Sequence, residues 1–299
     1  MRTNKKVRKK RKITLGIVLK YIVLILYTMF LFLPFATILI TSFMPSGELA
    51  TTEGFLWWSK NASLDAYKTV FAVDKYKELT GMPGLVLGFM NTMWMTLIPL
   101  AVGMTVAGMS AFAFSKIDFP HKEKLFHFMV ILSMIPLGAF SLISYVFFSG
   151  IGWTGELGFL PIVVPGMFGG IGMVFFLRMQ FDGIPTSLIE AAQLDGAVFF
   201  RTFFKVMAPI AKPAFMAQFI LAFVGGYNNY MQPLLYLQNQ PKYVTLQLYL
   251  SQVTTLFPSV GSENIYCAAA ILGILPLLLI YCFLQKYFIE GVSSGSVKE

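Results

Sequence analysis

Six apolar stretches, each about as long as a bilayer is thick, restrict this chain to very few folds. They lie near residues 18–43, 87–113, 125–149, 158–178, 213–237 and 265–287. A helix needs about 20 apolar residues to cross roughly 30 Å of hydrocarbon. In lipid each backbone N–H and C=O must be satisfied inside the segment, which selects helices for spans of this length. The expected fold is an all-α membrane protein with six transmembrane helices. Composition agrees, with 57% hydrophobic and only 12% charged residues, against about 25% charge in soluble domains. Pro34, Pro99, Pro136 and Pro276 fall inside these stretches, where neighbouring helices can re-satisfy the freed backbone groups.

Six spans leave both termini on one side, and Lys and Arg say which. Placing the termini in the cytoplasm puts 18 of the 23 basic residues there, including the run Arg2 to Lys12, Lys116, Lys122, Lys124, Arg178, Arg201 and Lys205. The positive-inside rule therefore predicts N-in, C-in. The basic run precedes a span of about 24 apolar residues, longer than the 7–15 of a signal-peptide core. It reads as a topology signal with affinity for anionic lipid, and no nucleic-acid partner is expected. Cys267 and Cys282 lack CxxC spacing, and His121 and His127 have no accompanying ligand cluster, so no metal site is expected. On this reading residues 1–17 are a basic cytoplasmic N-terminus, 18–290 one transmembrane domain, and 291–299 a cytoplasmic tail. An external loop at 44–86 carries Trp57, Trp58, Tyr67, Phe71 and Tyr76. These aromatics suit either an interfacial belt or a docking surface.

The segment 183–213 is polar, structured and cytoplasmic on this topology. Pro185-Thr186-Ser187 is a helix-start signal, and Ser187 with Glu190 fits a capping box. Asp195-Gly196 is a turn pair in which Gly permits positive φ. Phe199, Phe200, Phe203, Phe204 and Met207 then recur at helical spacing. Two short helices joined by a hinge are expected. Each residue alone could be merely a cap, a turn or a membrane-surface anchor. Together, Glu190-Ala191-Ala192, three residues, Gly196, nine residues, Val206, one residue, Ala208 and Pro209 resemble the "EAA" loop of ABC importer permeases, with Ala208 where Leu is usual. That resemblance implies a type I ABC importer permease fold whose coupling helix docks in a cleft on an ATP-binding subunit. Glu190, Asp195 and Gly196 would shape the turn, while Ala191, Ala192, Phe199, Phe200 and Phe203 would enter the cleft.

The likeness extends along the chain. Phe89-Met90-Asn91-Thr92 resembles the span-entry motif of sugar-importer permeases, and Ala111-Phe112-Ala113-Phe114-Ser115 with Phe119-Pro120 resembles their exit motif, Phe112 standing where Tyr is usual. Leu275-Pro276, Gln285-Lys286-Tyr287-Phe288, Gly291, Gly295 and Val297-Lys298 resemble the tail of the second, maltose-transporter-like permease of di- and oligosaccharide importers. The resemblance implies a bacterial cytoplasmic membrane location and a complex with a second permease subunit, two copies of an ABC ATPase and an extracellular solute-binding protein. No cofactor is implied for this chain, ATP being bound by the partners.

Gln218, Tyr227, Asn228, Asn229 and Gln232 put amides and an aromatic ring in the fifth stretch. They suit a sugar pathway or interhelical hydrogen bonds. Family members often have Trp where Tyr227 stands. The chain has no GxxxxGK[ST] loop, so it is read as a transport subunit and not an enzyme. An ion-coupled secondary transporter is the alternative, but such proteins bury ionisable residues in their spans, and all 14 acidic residues here fall outside the expected spans or at their ends.

Overall fold

The computed structural model of the protein describes residues 15–51, 54, 58–72, 75–258 and 261–293. The basic run at 2–12, Trp57 and the end of the tail from 294 lie outside the described residues. Among the described residues every regular element is a helix. We number the principal ones α1 (Leu15–Ser42), α2 (Gly84–Lys116), α3 (Lys122–Ser133), α4 (Ser141–Gly150), α5 (Leu160–Gly166), α6 (Ile171–Asp182), α7 (Ser187–Leu194), α8 (Phe199–Ile210), α9 (Lys212–Tyr227), α10 (Met231–Leu237), α11 (Leu246–Leu256) and α12 (Glu263–Ser293). Three short helices, Ser46–Thr51, Asp65–Val70 and Lys75–Thr80, fill the loop between α1 and α2.

Among the described residues four segments are long and apolar enough to cross a membrane: Leu15–Ser42, Gly84–Lys116, Gly155–Asp182 and Glu263–Lys286. The pair α8 and α9 qualifies as a fifth only when taken together, and it bends by 81°. The expected third span is not one helix. Pro136 has no N–H to donate and disfavours the helical region for Ile135, so α3 ends at Ser133 and a 3₁₀ turn at Leu137–Phe140 precedes α4. The expected fifth span also stops early, because α9 ends at Tyr227 and the chain restarts as α10 three residues later. Pro34, Pro99 and Pro276, by contrast, sit inside unbroken helices.

The helix α2 is the axis of the fold, packed along α6, α5, α9 and α11, while α12 lies against α9 and carries α1 on its other side. Glycine meets glycine where α2 passes the α5–α6 junction. A Cβ on Gly103 would stand 2.4 Å from the Gly166 carbonyl oxygen, and one on Gly169 (φ +70°) would stand 2.6 Å from the Gly103 oxygen. Only Gly tolerates both the contact and the dihedral.

Two apolar clusters divide α2. Leu85, Leu87, Met95 and Leu100 pack with Phe223, Tyr227, Leu246 and Tyr249 at one end. Ala107, Ala111, Phe112 and Phe114 pack with Leu177, Phe181, Phe203 and Met207 at the other. The outward faces stay apolar. The most apolar stretch of α1 is wholly unburied, and Phe128, Ile131, Leu142, Ile143 and Val146 of α3 and α4 are exposed. Such a surface is stable in hydrocarbon, not in water, and the chain is a membrane protein.

Candidate functional site

At the Lys116 end of α2, a polar hub fixes where the chain leaves the bundle. Ser115 Oγ donates to Asp182 Oδ1 (2.6 Å), and Lys116 Nζ donates to the Ile184 carbonyl (2.6 Å). Arg178 Nη2 donates to Glu123 Oε1 (2.6 Å), and its guanidinium lies 4.1 Å from the Phe126 ring centroid. That hydrogen bond, with the nearby positive charges, holds the Glu123 carboxyl below the usual carboxylate range. The hub ties α2, α3 and α6 together directly before residue 183.

From this anchor α7 projects as the first of the two expected helices. Its start differs from the expected capping box. Thr186 precedes it in helical backbone, and neither Thr186 nor the first turn forms a side-chain cap bond. Its end is built as expected. Gly196 adopts φ +77°, its N–H bonds the Gln193 carbonyl (2.9 Å), and the Ala197 N–H bonds the Ala192 carbonyl (2.9 Å). These two bonds make a Schellman motif, which requires an αL residue at the position Gly196 occupies. Nothing lies within 4 Å of where a Gly196 Cβ would be, so the glycine serves the dihedral and not a tight contact.

Burial sorts the side chains that the sequence grouped together. Glu190, Ala191, Asp195 and Gly196 are exposed and Ala192 is half-buried. Phe200 is 60% exposed and Phe204 53%. Phe203 is only 2% exposed and Phe199 is half-buried, so these two rings do not face outward with the rest. Phe199 stacks on Phe112 (centroids 5.0 Å apart), and Phe203 lies between Phe112 (6.1 Å) and Phe215 (6.4 Å). Helical spacing pairs Phe199 with Phe203 and Phe200 with Phe204 but does not say which pair faces the bundle; contacts with Phe112 and Phe215 decide it. Two exposed apolar residues were missed in the sequence. Leu194 (90% exposed) and Val198 (69%) crown the turn beside Phe200. Their flanking position at Asp195-Gly196 was the available signal. Phe112, enclosed by three rings, occupies a site where a tyrosine hydroxyl would need a polar partner.

A second feature lies between the two apolar clusters. A cavity of about 250 Å³ is walled by Thr92 to Met104 of α2, by α5 and α6, and by the α9–α10 junction. Asn229 and Gln232 line it, joined by a 2.7 Å bond from Asn229 Nδ2 to Gln232 Oε1. The other amides and the ring are placed elsewhere. Tyr227 is buried, stacked on Phe223, and donates its hydroxyl to the Gly273 carbonyl (2.5 Å), locking α9 to α12. Asn228 Oδ1 accepts from Gln247 Nε2 (3.2 Å), and Gln218 is half-buried on α9 one turn before the lining residue Ala222, outside the lining itself. The Asn91-Thr92 pair has a role that the motif did not announce. Asn91 Nδ2 donates to the Lys242 and Val244 carbonyls (2.8 and 2.9 Å), and Thr92 Oγ1 accepts from the Leu246 N–H (2.9 Å). Together they seat the start of α11 on α2. Among the described residues no group of three or more His, Cys, Asp or Glu could hold a metal, and both cysteines are free thiols.

Comparison with known proteins places this arrangement. Residues 122–294 match the family described as binding-protein-dependent transport system inner membrane component. The chain is 29% identical over 270 residues to the arabinooligosaccharides transport system permease protein AraQ of Bacillus subtilis (strain 168), covering 89% of this chain and 90% of that one. It is 28% identical over 229 residues to the maltodextrin transport system permease protein MdxG of the same strain, covering 76% and 81%. In structure it resembles a chain of a bacterial ABC transporter involved in the import of the acidic polysaccharide alginate, with TM-score 0.79 and 20% identity over 94% of this chain and 99% of that chain.

Proposed function

From its membership of the family of binding-protein-dependent transport system inner membrane components, we propose that this chain is a permease subunit of an ATP-driven importer. With a second permease it would form the pathway for a sugar of di- or oligosaccharide size delivered by an extracellular binding protein. The oligosaccharide permeases it resembles support that cargo class. It hydrolyses nothing itself, and two ATPase subunits supply the energy. The six-span, N-in, C-in topology remains our reading, with α3 and α4 as one broken span and α9 with α10 as another. One transmembrane domain then runs over 18–290, flanked by the 1–17 and 291–299 tails.

One observation carries the coupling assignment: the Schellman-capped turn after α7, which holds an apolar crown outside the bundle. Leu194, Val198 and Phe200 would enter the ATPase cleft, with Glu190, Ala191, Ala192, Asp195 and Gly196 shaping the knob. Phe199 and Phe203 would act on the inner side. Stacked on Phe112 of α2 and against Phe215 of α9, they pass a displacement of α7 to both walls of the cavity. A close-packed aromatic joint transmits a shift because it cannot absorb one. ATP-driven closure of the ATPases would then rock the cavity between outward and inward access. On this reading Asn229 and Gln232 contact the cargo, whereas Gln218, Tyr227 and Asn228 hold the helices that carry them.

The test is affinity purification from native membranes with identification of what accompanies the chain, paired with Gly196→Pro. Proline cannot adopt φ +77° and has no N–H for the Gln193 carbonyl. The variant is expected in the membrane without supporting uptake. Normal uptake, or a chain that emerges without an ATPase after cross-linking through 186–205, would refute the coupling assignment.

A further inference from the structure

The side chain of Thr245 breaks a rule of helix starts. Thr245 sits immediately before α11 in extended backbone (φ −93°, ψ 164°), where a Thr hydroxyl ordinarily accepts an N–H of the first turn. Here it forms no cap bond. The neighbouring Leu246 N–H, which an N-cap side chain does not serve, is accepted by Thr92 Oγ1. Thr245 is only 4% exposed, its Oγ1 is enclosed, and that atom has no hydrogen-bond partner among the described residues. A buried unpartnered hydroxyl is costly, and this one belongs to the wall of the cavity.

The rest of the wall has a consistent character. Thr92, Thr96, Asn229 and Gln232 supply its other polar side chains. Met95, Met104 and Met173 supply pliable apolar surface, and glycines 103, 166, 169 and 226 bring backbone to the lining. Among the described residues the lining holds no Asp, Glu, Lys, Arg or His. The volume, about 250 Å³, falls just short of the roughly 300–1,000 Å³ typical of sites for drug-sized ligands. It suits one ring and not a chain. Hydroxyls of an uncharged ring can exchange hydrogen bonds with threonines and amides. A carboxylate here would be desolvated with no cation to pair with, a cost of several kcal/mol as a rule.

We propose that this cavity is a subsite for one uncharged, hydroxyl-bearing sugar ring, that Thr245 is one of its ligands, and that uronate-type acidic rings are excluded. The proposal rests on the sugar-importer reading and sharpens its cargo. It also gives this subunit a cargo contact of its own.

The importer complex, purified in detergent without its soluble binding protein, would be titrated with maltotriose, arabinotriose and trigalacturonate by ligand-observed NMR. The two neutral probes are expected to bind saturably, and trigalacturonate at least about tenfold more weakly. Thr245→Val keeps the volume and removes the unpaired hydroxyl. It is expected to weaken the neutral probes about tenfold while the melting temperature does not fall. Gln232→Leu, at an exposed position, should weaken them as well. Equal affinity for trigalacturonate overturns the neutral-ring assignment, and unchanged binding by Thr245→Val means that the hydroxyl serves only a buried water. If no probe binds while the ATPase is present, the subsite is wrong and the importer reading stands. If the ATPase is absent, both fall.

Discussion

Leu194 and Ile189 lie five residues apart on α7 and should respond to truncation in opposite ways. Ile189 is 5% exposed, inside the cluster formed with Phe112, Phe181 and Met207. Leu194 is 90% exposed at the turn. Removing a buried aliphatic side chain to Ala costs about 2–5 kcal/mol of fold stability, so Ile189→Ala should melt early. Leu194→Ala removes almost nothing from the free subunit, since exposed sites rarely shift stability by more than about 0.5 kcal/mol. If Leu194 fills a cleft on the ATPase, burying it contributes about 2 kcal/mol to docking, and its loss weakens the subunit contact roughly thirtyfold. The assay is paired: thermal unfolding of the purified permease, and titration of the ATPase against permease in lipid nanodiscs, with uptake in cells as the functional readout. The expected pattern is an unchanged melt with lost ATPase affinity for Leu194→Ala, and a lowered melt for Ile189→Ala. If Leu194→Ala, and also Leu194→Lys, hold the ATPase and take up sugar as the parent does, the crown at the turn is not the docking surface.

Three further outcomes follow from other parts of the fold. Gly169→Ala combines an αL dihedral with a 2.6 Å contact to the Gly103 carbonyl and should cost about 3 kcal/mol, read as lost folded yield. Gly170→Ala, with φ −86° and open space at Cβ, is the silent control. Thr92→Val leaves the buried Leu246 N–H without its acceptor, which should cost about 1–3 kcal/mol and speed amide exchange there, while Thr92→Ser should not. In the 44–86 loop, the Lys60 N–H and then the Ser59 hydroxyl hydrogen-bond the Glu48 carboxylate and lower its pKa. A depressed carboxyl stabilises above its unfolded value, about 4.3, and that stabilisation fades as pH falls through the lower folded value. Protection of the Lys60 amide, measured against its intrinsic exchange rate, should therefore fall on acidification below about pH 4, and Glu48→Gln should flatten that profile.

Much of the 183–213 element was readable because its determinants are local. Asp195-Gly196 needs only the φ preference of Gly, and the family pattern from Glu190 to Pro209 is spaced by one turn and two helices. The exposure of each phenylalanine was not readable. Whether Phe203 faces out or in depends on Phe112 and Phe215, about 90 and 12 residues away in the chain. The broken third span shows the limit of hydropathy, which counts apolar residues and is blind to the missing N–H of Pro136.

The chain alone determined its solvent and its class. Apolar length and the segment around Gly196 are properties of neighbouring residues, so apolar helices and two short helices joined at Gly196 follow without any long-range contact. Only the tertiary structure decided the cavity. Thr92, Gln232 and Thr245 reach one space because Gly103 and Gly169 let α2 and the entry to α6 approach to backbone contact, and because Asn91 and Thr92 seat the start of α11 on α2. That the Thr245 hydroxyl is enclosed without a partner depends on segments distant in the chain, and no local pattern records it.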